Sequence, residues 1–568
     1  MEMHGKGLNQ QNKMENNAEI QIINRTEKIK TWFKDPYNLA FLGILVFAFV
    51  IRLYYFILTQ NQPLWWDEAD YMAYAKNLAG LSTHWIVTGE HSSLLPFFAA
   101  FFFKLGFSTA GVRFFVCFIP SILTILLTYL IGIKLYNKKI ALLSTFLIAT
   151  FWELLFNGMR FHVEGPALLF GFLSIYIFFK GYEKKEKIFG INPKWAIPLT
   201  ILFVVLTYAS RRAYFVFGFF FLFYMLLTKN FKDIIKDKYN WIGLFIGIAL
   251  FLMIENFVFA MPITQATKTY FHTSNPFTLW PFYVFYSYFE NIFNPLLSPL
   301  FYLFCFGFLI LLINLFLHLG YFKKIEFNES KSDFFVFLML VITLFYFLFI
   351  QKDGVFGEPR WYYAVLLGSI FCICKGTFFI TDYIKRYSKV ISISVLVLLI
   401  GYGGYYELKH ADMIINDKVE SFSGIKEAGL LIGQISNIND IIISVPRPQP
   451  AYYAERKVFN PDELANKSTA TSTIQDILSK LNENSNIKYI IVTLSEPNHP
   501  EWMRKDAYAT NPSTGQTVYA KLEIPFMNTT VDFINNKQDI KKTMAYGNIT
   551  FNLIGIKQDA FIYEIVRT

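Results

Sequence analysis

Three acids, Asp67, Glu68 and Asp70, stand within four residues in the stretch WWDEADYMAYA at 65–75, just behind a long apolar run. Other ionisable residues border apolar sequence further along: Arg52, Glu90, His91, Arg160, His162, Glu164, Arg211, Arg212, Glu255, Lys352, Asp353, Glu358 and Arg360. A positioned carboxylate can take a proton from an incoming hydroxyl. Arginine forks grip phosphate oxygens two at a time. Such a set could displace a phosphate from carbon, with an acid as base and guanidinium groups holding the leaving charge. Single members have plainer readings: Arg52 as a side chain snorkelling to an interface, Arg211 and Arg212 as a turn. The letters DEAD also spell a helicase box, but the chain has no GxxxxGK[ST] phosphate loop.

The elements that must position these residues are membrane helices. The chain has 568 residues, 54% hydrophobic and only 17% charged. Its apolar runs between 38 and 406 have the length that crosses a bilayer core. They predict eleven spans near 38–59, 111–133, 140–157, 164–181, 195–210, 213–228, 241–260, 296–320, 334–351, 363–381 and 389–407. About two dozen Lys and Arg fall in the tail 1–37 and the alternate short loops, against about nine opposite. That places the N-terminus in the cytoplasm and residues 408–568 outside. The net charge of +10 is therefore topological and implies no nucleic acid. All the border residues fall on the outer side, against the basic trend. Ionisable groups at membrane depth are functional candidates by default. An anion bound there is the phosphate of a lipid. The chemistry becomes sugar transfer from a polyprenyl-phosphate carrier, without a nucleotide.

Within the loop 60–110, Asp67, Tyr71, Tyr74 and Leu78 share helical spacing. This predicts a surface helix with Trp65 and Trp66 at headgroup depth; the apolar segment 97–105 is too short to span and lies flat. Residues 408–568 read as a small α/β domain: helices near 424–435 and 473–482, strands at 440–445, 488–494, 551–556 and 561–566. It carries sequons at Asn466, Asn528 and Asn548, and no cysteine. Cys117, Cys305, Cys372 and Cys374 all lie in apolar runs, so no disulfide framework is expected there.

At these residues the chain resembles the GT-C glycosyltransferases, in the branch of the protein O-mannosyltransferases and lipid A aminoarabinose transferases. The resemblance rests on Asp67-Glu68 with Tyr71 and Ala75 after IRLYYF, on Glu90 and His91 in GEHSSLLPFF, and on the Arg113 region. It continues through Arg160 and Glu164 in RFHVEGP, Arg211 or Arg212, and Arg360 and Tyr362 in EPRWYYAVLLG. Ser92 and Ser93 replace a usual proline pair, and Glu164 stands where Asp is common. The resemblance covers roughly 40–370. It implies a polytopic helical fold with a C-terminal extracytoplasmic domain. It also implies an inverting transfer of sugar from a polyprenyl phosphate to a hydroxyl on protein, lipid or glycan, in a prokaryotic plasma membrane.

By that analogy Asp67 is the general base, with Glu68 or a structural role as the alternative; adjacent helix residues diverge by about 100°, so the two carboxylates cannot share a face. Glu164 is the second acid, binding sugar hydroxyls. Glu90, His91, Arg160, Arg211, Arg212 and Arg360 are candidates for the phosphate or sugar, with His162 beside them. Tyr71 and Tyr74 could line the pocket or simply pack, Tyr362 is a further candidate for the phosphate or sugar, and Asp70 reads as solvated. No cofactor is expected and a metal-independent reaction is favoured, with a divalent metal left open: the Trp-Trp-Asp signature of the metal-using oligosaccharyltransferases belongs to their soluble domain, whereas here it stands in the first loop and residues 408–568 lack it. A secondary transporter is the competing class, yet transporters place polar breaks at mid-membrane, and an oligosaccharyltransferase-like enzyme is the nearer alternative.

Overall fold

A computed structural model describes residues 27, 30–82, 94–259, 297–318, 322, 326–347, 359–494, 496–510 and 517–568. The following labels are used: α1 Pro36–Thr59, α2 Trp66–Leu78, α3 Leu94–Lys104, α4 Thr109–Leu135, α5 Lys138–Thr150, α6 Trp152–Gly158, α7 Glu164–Glu183, α8 Pro193–Ser210, α9 Arg212–Thr228, α10 Lys238–Phe257, α11 Phe301–His318, α12 Glu329–Phe345, α13 Arg360–Lys385 and α14 Lys389–Lys418.

In their described residues all eleven predicted spans are mainly helical, but not all of these helices are long enough to cross a bilayer. Eight helices among the described residues are sufficiently long and apolar, or nine if the bent pair α5–α6 is one span. The shortfall lies in α9, an apolar helix shorter than a full span, and in α12, which has 17 residues. Local chemistry sets several starts. Asp35 accepts from the Tyr37 amide with Pro36 in the first turn, and Asn137 accepts from the amides of Lys139 and Ile140.

The 53° bend between α5 and α6 frees backbone groups inside the membrane region, and two buried charged side chains take them up. Arg52, expected to snorkel, is instead fully buried and donates from Nη1 to the Ala149 carbonyl at 2.7 Å and from Nε to Ser121 at 2.9 Å. A guanidinium is suited to a helix C-terminus, where carbonyls lack partners. Across the bend the Trp152 amide donates to Glu407 of α14 at 3.0 Å.

Helices α11 and α13 approach closely. A Cβ on Gly307 would stand 1.8 Å from the Cys372 carbonyl oxygen, and one on Gly376 2.6 Å from that of Leu303. Small residues allow this backbone contact where lipid supplies no hydrophobic force between helices.

Helix α14 continues past residue 407 to Lys418 and leads into α15 Ser423–Ile435. The C-terminal domain has a six-stranded sheet in the order β2 Lys457–Phe459, β1 Ile441–Ser444, β3 Ile487–Thr493, β10 Ala560–Arg567, β9 Ile549–Lys557, β8 Thr543–Tyr546; β1 pairs in parallel with β2 and β3. The expected strands and helices are all there. A second sheet of four antiparallel strands, within 505–539, was not anticipated. This domain sits on the first loop through α16 Pro448–Ala454. The Leu64 amide donates to the Tyr453 hydroxyl at 2.8 Å, and Lys76 pairs with Glu455 at 2.9 Å.

Candidate active site

Glu68, in the first turn of α2, is 2% exposed. One carboxylate oxygen accepts from the Trp65 amide at 2.8 Å, closing the helix N-terminus as a capping residue does. Arg160 donates to both oxygens, at 2.8 and 3.2 Å, and the Phe161 amide adds a bond at 2.9 Å. Burial alone would raise this carboxyl, but the Arg160 charge and these bonds outweigh it and hold it below the ordinary range. The Arg160 guanidinium lies 3.4 Å from the centroid of the Trp65 ring. Trp65 therefore braces an ion pair. Trp66 is the more exposed of the two, and its indole N–H meets Glu496 of the C-terminal domain.

Asp67 points elsewhere. Its side chain is 41% exposed and accepts from Arg360 Nη2 at 3.2 Å. Arg360 opens α13 and joins three of the other predicted residues, Asp67, His162 and Glu164. Its Nη1 donates to His162 Nδ1 at 2.5 Å, and its Nε lies 3.9 Å from Glu164. Burial first, then the charges of Arg360, Arg160 and Arg211, push the His162 imidazole well below its usual range. A neutral ring is what lets Nδ1 accept from a guanidinium. Glu164, 1% exposed at the start of α7, pairs with Arg211, while its Oε2 has no hydrogen-bond partner. Five residues from four separate stretches of chain thus meet: Asp67, His162 with Glu164, Arg211 and Arg360.

Other expected residues lie apart. Arg212 turns away from Arg211 to pair with Glu255 at 3.2 Å beside Tyr208 and Phe259. Tyr362 is fully buried against Phe347 and does not line the site. Tyr71 is buried near Phe161, and desolvation followed by the Asp67 charge raises its hydroxyl well above the usual range. Asp70 is buried, where a solvated residue was expected, because its face of α2 packs inward. Glu90, His91, Lys352, Asp353 and Glu358 lie outside the described residues.

Two neighbours of the site escaped the sequence. Tyr363, one helical turn after Arg360, donates to Glu153 of α6 at 2.8 Å and accepts from Asn157 at 3.1 Å. The three-residue spacing from Arg360 was the available signal. Arg113, buried, donates to the Met159 carbonyl at 2.6 Å and to that of Thr59 at 2.9 Å, tying α4 to the ends of α6 and α1. Among the described residues, no three or more His, Cys, Asp or Glu side chains converge in an arrangement that could hold a metal ion.

The fold has known counterparts. The family model for dolichyl-phosphate-mannose-protein mannosyltransferase matches residues 90–254. The oligosaccharyltransferase of Archaeoglobus fulgidus in its apo form superposes with a TM-score of 0.57 at 13% identity, covering 84% of this chain and 74% of its own. ArnT from Cupriavidus metallidurans, bound to undecaprenyl phosphate, gives 0.54 at 8% identity, covering 92% and 97%. The chain has the GT-C fold. A further structure of the archaeal enzyme, AglB with an inhibitory peptide and a dolichol-phosphate, gives 0.54 at 12% identity, covering 86% of this chain and 74% of its own. No curated protein matches the chain by sequence. The family match spans His162, Glu164 and Arg211 of the five residues that meet; Asp67 and Arg360 lie outside it.

Proposed function

We propose that this GT-C protein transfers a sugar from a polyprenyl-phosphate carrier to an acceptor hydroxyl at the membrane face that carries Asp67. The observation that carries the reading is the joining of an exposed carboxylate, Asp67, to a half-buried guanidinium, Arg360, beside the Glu164–Arg211 pair. A base and an anion-binding group stand within one ångström-scale constellation. The acceptor hydroxyl gives its proton to Asp67. Its oxygen then forms a bond to the anomeric carbon, on the side opposite the phosphate. The carbon–oxygen bond to phosphate breaks, and the phosphate leaves with the electron pair. Arg360 and Arg211 hold the charge that develops on it, which is where preorganised donors act most strongly. Single displacement inverts the anomeric centre. Glu164 Oε2, buried without a partner, accepts from a sugar hydroxyl.

The carrier bound by ArnT and the dolichol-phosphate bound by AglB support a polyprenyl phosphate as donor. The family model's description supports a mannosyl group and a protein acceptor. The lysine-poor side of the membrane holds the site, which supports an extracytoplasmic reaction in a prokaryotic plasma membrane. The test is transfer of labelled mannose from its polyprenyl phosphate to peptide hydroxyls by membranes containing the protein. Transfer that needs Asp67 and gives the inverted anomer is expected. Solute uptake with no transfer from any such donor refutes the reading.

A further inference from the structure

Helix α13 carries Arg360 at one end and Lys385 at the other, roughly 40 Å apart along its axis. That is the thickness of a bilayer with its headgroups. Lys385 therefore lies at the membrane face opposite the active site. There, α1, α5, α13 and α14 enclose a groove of about 580 Å³. Three lysines stand at its mouth: Lys139 in the first turn of α5, Lys385 at the end of α13 and Lys389 at the start of α14. Nearby Lys138 and Lys375 are bound to Asp35 and Asp333. Among the described residues, Lys139, Lys385 and Lys389 have no such ion pair. Only one carboxylate, Asp382, shares the groove with them.

Away from the mouth the lining becomes apolar, through Ile44, Phe146, Leu396 and Ile400. From Lys389 to Ile400 is eleven residues of α14, about 16 Å, roughly half the hydrocarbon thickness of a bilayer. The groove is thus basic at the water interface and apolar for the depth of one leaflet.

We propose that this groove is a binding site for an anionic glycerophospholipid of the leaflet opposite the active site. Its phosphate lies on Lys139, Lys385 and Lys389, and one acyl chain follows the apolar wall. Basic pockets between membrane helices select anionic headgroups by charge, whereas apolar walls alone do not distinguish lipids. The two halves of the groove thus make separate demands. The lysines require a negative headgroup, and the wall requires a chain that reaches one leaflet deep.

The test uses the full chain purified in a nonionic detergent, with phosphatidylglycerol, phosphatidylcholine or undecaprenyl phosphate added in turn. Lipid retention is read by native mass spectrometry. Retention of phosphatidylglycerol about tenfold above phosphatidylcholine is expected, falling to the phosphatidylcholine level in Lys385→Gln/Lys389→Gln. Leu396→Trp, which fills the wall and leaves the lysines intact, is expected to reduce retention of both. The paired substitution Lys385→Arg/Lys389→Arg keeps the charge and is expected to keep the preference, so a fault of folding is told from a loss of charge. Equal retention of the two phospholipids overturns the proposal. So does an unchanged preference in the neutralised variant, and so does displacement of phosphatidylglycerol by equimolar undecaprenyl phosphate, which would assign the groove to the carrier.

Discussion

Asp67 and Glu68 are neighbours in sequence with opposite surroundings. Glu68 has both oxygens bonded in a dry pocket, while Asp67 keeps a face open to solvent. Asp67→Asn retains the shape and removes the base, so transfer should fall at least about a hundredfold, with the melting temperature unchanged, as turnover and thermal denaturation would show. His162 supplies a pH signature. Its folded value is below the unfolded 6.5, so the unfolded chain takes up a proton first as pH drops. Stability is complete above about pH 6.5 and declines as the pH falls below it. Melting temperatures of wild type should drop between pH 6.5 and 4.5, and those of His162→Gln should drop less; equal slopes refute the assignment. Residue types and their one-sidedness were legible from sequence, and the 100° offset already separated the two acids. Which acid keeps an exposed face was not, because that depends on Arg160, some ninety positions later. Asp70 and Tyr362 were misplaced for the same reason: their surroundings come from distant helices.

Elements read well where composition alone decides them. Long apolar runs predicted every membrane helix among the described residues, since a bilayer imposes length. The sheet within 505–539 was missed although its strand 517–524 alternates through Val518, Ala520, Leu522 and Ile524; its last two strands are short, and β7 Lys537–Asp539 is exposed throughout. The bend between α5 and α6 was likewise invisible, because nothing local marks it and the side chains that stabilise it come from α1 and α14. Helix α2 depends on one buried pair at its start. Glu68→Gln leaves Arg160 with an uncompensated charge, and loss of one partner of a buried pair costs about 3–5 kcal/mol. Its melting temperature should therefore fall, unlike that of Asp67→Asn. If Glu68→Gln is as stable as wild type and inactive, Glu68 is the base and Asp67 is not.

For the whole molecule, the C-terminal domain and the membrane helices share one working surface. Tyr453 and Glu455 hold the N-terminal approach and the last turn of α2, and Glu496 meets Trp66 beside Asp67. Tyr453→Phe removes one hydrogen bond, about 1 kcal/mol, and should speed proteolytic release of the domain without changing the melting of the membrane helices. The glycine contact between α11 and α13 has a different reach. Gly376 is sixteen residues from Arg360, about 24 Å along the helix. A methyl group at Gly307 must push α13 aside, and a stiff helix conveys that shift to its far end, where Arg360 sets the spacing between Asp67 and His162. The tolerance of the proposed phosphate cradle is thus decided partly by the absence of two side chains at Gly307 and Gly376. An enzyme with Gly307→Ala should keep every polar group of its site and still grip its donor less well.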